Sequence, residues 1–107
     1  MNVNRMSKDP FAHLQAESAQ NRLAFMKTEL ALCFTFSTIA ARKYETGNQA
    51  SAVSSMANAE RAYETVSHFL SDPKHSKHLT GEERQGITAE LERLRERLDR
   101  LIRNFRK

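Results

Sequence analysis

The chain has 107 residues, of which 39% are hydrophobic and 28% charged, with three glycines, two prolines, no tryptophan and a net charge of +4. That length suits one domain with one core, and so few turn-forming residues exclude a turn-rich β fold, which leaves an all-α class. No window holds the roughly 18 uninterrupted apolar residues of a membrane span, and MNVNRMSKDP lacks the apolar stretch of a signal peptide. The expectation is therefore a cytoplasmic protein with no membrane partner.

Residues 1–8 read as a flexible N-terminus and residues 9–107 as a single three-helix domain, arranged up-down-up. Asp9-Pro10 opens the first helix, over residues 10–46, with a carboxylate able to cap free N–H groups and a proline whose missing N–H does no harm. Nothing breaks the pattern before Thr46, so this helix runs to roughly 54 Å and either kinks or overhangs its partners. Leu23, Met26, Leu30, Cys33, Ala40 and Tyr44 form a seam spaced by three and four. Phe34, Phe36 and Ile39 add apolar surface at other angles, which makes them the candidate interaction residues: two other helices of the chain, or a second subunit, must cover them.

Cys33 cannot form an internal disulfide, since it is the one cysteine, and its place in an apolar run suits a small packed hydrophobe. Gly47 supplies the left-handed residue that ends the first helix, and Asn48 can cap the second, over residues 49–71. A tight hairpin results. Ala52, Met56, Ala59, Tyr63, Val66 and Leu70 give the second helix its seam, with small residues nearest the turn, where they let the helices approach closely.

Ser71-Asp72-Pro73 stops the second helix, and Lys74-His75-Ser76-Lys77-His78 reads as a polar connection. Thr80-Gly81-Glu82-Glu83 is a capping box that opens the third helix, over residues 81–105. Ile87, Leu91, Leu94, Leu98, Leu101 and Phe105 alternate by four and three among Glu and Arg, a narrow coiled-coil-like seam.

Around Gly47, the positions of Phe36, Ala40, Tyr44, Ala52, Met56 and Ala59 resemble the small and large positions of one tetratricopeptide helical pair over about thirty residues. There is no second copy, and Glu64-Thr65 continues the helix where that family places a proline. A three-helix arrangement with a long third helix also resembles the microtubule-interacting and trafficking domains. Both likenesses imply a peptide-binding helical module, with an apolar groove lined by Phe34 and Phe36.

Candidate sites fall into three groups. His68, Asp72, His75 and His78 are ligand types that zinc or nickel accepts, but Lys74 and Lys77 would repel a cation, and a solvated connection explains the same residues. No metal or cofactor is expected. Arg93, Arg97, Arg100, Arg103 and Arg106 could form a phosphate-binding stripe for nucleic acid, although cations at a helix C-terminus also complement its dipole, and Glu90, Glu92, Glu96 and Asp99 dilute the charge. Opposite charges such as Glu92 and Arg95 suit either a solvated face or a helix interface. No nucleophile-base pair, phosphate loop or metal-ligand set points to catalysis, nor any feature to a small-molecule substrate. The reading that remains is a non-enzymatic interaction or assembly module that self-associates as a homodimer or binds another protein. Nucleic-acid binding and peptide binding are its alternatives.

Overall fold

A computed structural model describes residues 10–106, so the expected flexible segment 1–8 and the Asp9 cap lie outside the described residues. The described residues are all-helical and form four helices: α1 Pro10–Glu45, α2 Gln49–Ser71, α3 Pro73–Ser76 and α4 Gly81–Phe105. No strand occurs among the described residues.

Each boundary has a local cause. Gly47 adopts φ +84°, and its N–H donates to the Tyr44 carbonyl at 3.1 Å while that of Asn48 donates to Lys43 at 2.8 Å, closing α1. The Asn48 side chain then accepts from the Ser51 N–H at 3.2 Å and starts α2. At α4 both halves of the capping box are present: Glu83 N–H donates to the Thr80 hydroxyl at 3.0 Å, and Thr80 N–H to the Glu83 carboxylate at 2.9 Å.

The segment Lys74–Ser76, expected as plain connection, belongs instead to α3. Asp72 ends α2 with an extended backbone and accepts from the Lys74 N–H at 3.0 Å, and Pro73 occupies the first helical position. The short turn is pinned from outside as well. The His75 ring stacks on Phe69 at 4.3 Å, Phe69 lies 5.1 Å from Phe25, and Ser76 is buried.

One core joins α1, α2 and α4. Met26, Leu30, Cys33 and Ala40 meet Met56, Ala59, Ala62 and Val66, with Ile87, Leu91, Leu94 and Leu98 closing the third side. Tyr44 stacks on Phe105 with ring centroids 4.5 Å apart, which brings the end of α4 beside the Gly47 turn. Burial of these apolar surfaces is the main favourable term in folding.

α1 is continuous and outreaches its neighbours. Its 36 residues extend over about 54 Å, against about 35 Å for the 23 residues of α2. Since Phe25 stands level with Phe69, two residues before the end of α2, roughly 20 Å of α1 continues past that end. The radius of gyration, 18.3 Å, accordingly exceeds the value of about 13 Å for a compact domain of this length.

Gln20–Glu45 is long and apolar enough, by length and mean hydropathy, to cross a membrane, which the count of uninterrupted apolar residues does not register. Thr28, Thr35, Ser37 and Thr38 break the apolar run but lower the mean hydropathy only slightly. The same segment carries Lys27 and Glu29, each costly at the centre of a bilayer, and its Met26–Ala40 seam is buried against α2 and α4.

Candidate functional site

The side chains left outside the core are concentrated on α1. Successive residues of an α-helix turn by about 100°, so Phe25, Leu32 and Ile39, spaced by seven, share one stripe on the α2 flank. They are 40%, 39% and 36% exposed. Beside them run two clefts of the α1–α2 seam: one of about 290 Å³ at Arg22, Phe25 and Phe69, and one of about 260 Å³ at Glu29, Phe36, Arg61 and Thr65.

Phe34, Phe36 and Ile39 do not form one patch. Phe36 is half-buried in the second of those clefts, Ile39 continues the outer stripe, and Phe34 lies on the opposite flank facing α4. There the Arg97 guanidinium sits 4.8 Å from the Phe34 ring centroid, yet the ring remains 52% exposed. The same guanidinium donates to the Ser37 hydroxyl at 2.6 Å and to the Thr38 hydroxyl at 3.0 Å, and both hydroxyls donate onward to the Phe34 carbonyl. Ser37 is thus a buried polar group that is fully hydrogen-bonded.

That use of Arg97 divides the proposed phosphate stripe. Arg93 pairs with Glu90 on its own helix, and Arg97 turns inward, whereas Arg100, Arg103 and Arg106 are exposed beside the Gly47 turn. The charge pairs also differ from those expected: Arg95 bonds Glu60 and Asp99 rather than Glu92, because its side chain points into the α2–α4 seam. Arg95 also covers the Tyr63 ring at 4.9 Å, and its hydrogen bonds to Glu60 raise its already high pKa. Sequence reasoning missed Glu60, Ser37 and Thr38, since their partners lie far along the chain. It also passed over Phe25 and Leu32, although their seven-residue spacing with Ile39, outside the seam, is visible in the sequence.

The histidine group is not assembled. His75 Nε2 lies 3.9 Å from Asp72 Oδ2, while His68 and His78 are exposed, and no three His, Cys, Asp or Glu side chains among the described residues could share an ion. Asp72 and His75 serve the α3 turn instead, as its cap and as the outer layer of the Phe25–Phe69–His75 stack.

A further cleft of about 390 Å³ lies between α1 and the start of α4, where Leu23, Leu30 and Ile87 meet Lys27, Glu82 and Glu90. Cys33 is fully buried, and burial, with the Glu60 carboxylate acting in the same direction, pushes its thiol up to about 11. A thiol so placed is a poor nucleophile at neutral pH. No protein-family model, curated protein or solved structure matches the chain, and the helical-hairpin likeness rests on the six positions around Gly47 alone.

Proposed function

We infer that the chain is a non-enzymatic assembly module: an up-down-up three-helix bundle, braced by α3, that binds a second copy of itself. The exposed stripe of Phe25, Leu32 and Ile39 carries this reading. Three large apolar side chains aligned on one helix, clear of the core seam, are an exposed patch of the kind that protein interfaces cover. The bundle topology draws on three pairings, Phe25 with Phe69, Tyr44 with Phe105, and Leu23 with Ile87 across their shared cleft.

Light scattering tests the reading directly. Wild-type protein should have the mass of a dimer at about 100 μM, and replacement of Phe25, Leu32 and Ile39 together by serine should give a monomer with unchanged helical circular dichroism. A wild-type monomer at that concentration would falsify it.

Peptide capture is a second reading, favoured by the α1–α4 cleft, whose apolar Leu23, Leu30 and Ile87 are flanked by Glu82 and Glu90. It calls for a basic amphipathic helix as ligand. Titration with such a peptide, and weaker binding in Glu82→Lys, would separate it from self-association, which that exposed substitution leaves in place.

A further inference from the structure

The outer stripe of α1 has a direction as well as a composition. Three residues after each apolar position of the stripe stand Thr28, Thr35 and Arg42, and four residues after stand Glu29, Phe36 and Lys43. The seven-residue repeat is that of a helix pairing along one seam, with Phe25, Leu32 and Ile39 as one row, Thr28, Thr35 and Arg42 as the next, and Glu29, Phe36 and Lys43 on its edge. Glu29 is half-buried, Arg42 and Lys43 are exposed, and none of the three has an ion-pair partner among the described residues.

Resting on the self-association reading, we propose that the stripe is the dimer interface and that the second copy lies on it antiparallel, about a two-fold axis between Cys33 and Phe34. In that register Leu32 meets Thr35 of the second copy, and Ile39 meets its Thr28. Phe25 meets the aliphatic stem and guanidinium of its Arg42. Glu29 comes within about 8 Å, measured along the helix axis, of the second copy's Lys43, close enough for the long lysine side chain to reach it.

Symmetry produces each of these contacts twice, so the interface is self-complementary. Charge selects this direction over the other. A parallel pair in register sets Arg42 against Arg42 across the seam and leaves Glu29 only Arg61 of its own chain, across the cleft they share, whereas the antiparallel pair separates the two arginines and adds a lysine to each glutamate. The clefts on the α2 side lie alongside, at Phe25 and Phe69 and at Phe36 and Arg61, and the edge of the second copy's helix would fill them.

The test is a charge exchange at Glu29 and Lys43, read by sedimentation with circular dichroism as the control for folding. Glu29→Lys and Lys43→Glu, each alone, create two like-charged contacts and should weaken the dimer about tenfold or more. Mixing the two variants restores both attractions and should return a dimer within about threefold of wild type, as should the double variant.

If the wild type dimerises and the single variants dimerise equally well, the antiparallel register is wrong and the self-association reading stands. Efficient oxidation of Ile39→Cys, in a Cys33→Ala background, to a covalent dimer with itself would overturn the direction in favour of a parallel pair, since the antiparallel register sets the two copies of that residue about 17 Å apart along the axis. A monomeric wild type overturns both proposals. If that monomer sediments with phospholipid vesicles and the triple-serine variant does not, the stripe faces a lipid surface instead.

Discussion

Arg95 on α4 donates two hydrogen bonds to the carboxylate of Glu60 on α2, at 3.0 and 2.7 Å, across 35 positions of sequence. Both side chains are half-buried, and Arg95 donates in addition to Asp99 at 3.0 Å. A fork-to-fork pair in this setting is stronger than an exposed ion pair and leaves a desolvated group behind when one partner is removed. Arg95→Ala and Glu60→Ala should each destabilise the fold by about 1–2 kcal/mol. In a double-mutant cycle read by urea unfolding, the coupling energy should exceed the few tenths of a kcal/mol typical of exposed helix pairs.

Gly47 gives a prediction free of tertiary packing terms. At φ +84° no atom beyond its two chain neighbours lies within 4 Å of the place a Cβ would occupy, so Gly47→Ala carries only the local backbone cost of the left-handed region. The expected loss is about 1–2 kcal/mol, and Gly47→Asn should lose less. Thermal unfolding of both variants checks the order.

Leu98 is fully buried at the centre of the α4 seam, whereas Leu101, three residues on, is half-buried. Leu98→Ala should cost about 2–5 kcal/mol, through lost transfer energy and the cavity left behind. Leu101→Ala should cost clearly less. Chemical denaturation midpoints give the comparison.

The Cys33 thiol stays protonated in the fold up to about pH 11, against an ordinary value of 9.0. Unfolded chains therefore release this proton at lower pH than folded ones. The stabilising contribution is complete below pH 9 and is lost as the pH rises through 11. The stability difference between wild type and Cys33→Ala should shrink across that window. At neutral pH the native thiol should resist a disulfide reagent that reacts at once with unfolded protein.

What the sequence showed clearly was whatever depends on neighbours within a turn or two. The Gly47 stop, the Thr80–Glu83 box and the Ile87–Leu98 seam are local in cause, and each is found where its pattern stands. α3 was hidden because a four-residue helix has too little pattern to register, and part of what holds it is the stack on Phe69. The role of Arg97 was hidden for a related reason, since nothing near it announces the hydroxyls of Ser37 and Thr38, about sixty residues away. Apolar character at Phe34, Phe36 and Ile39 was legible, but their separation onto different flanks of α1 becomes clear only once the positions of α2 and α4 are known.

The narrow seam of α4 sets it apart from the other two long helices. α1 and α2 lie against each other far more extensively than either lies against α4, which is held by a single apolar row with Arg95 and Arg97 beside it. Resistance to opening is therefore uneven along the chain. In a hydrogen-exchange experiment the amides of α4 should give up their protons as one early group, in a fluctuation that leaves the α1–α2 pair folded, while the slowest amides cluster around Met26, Cys33, Ala59 and Val66.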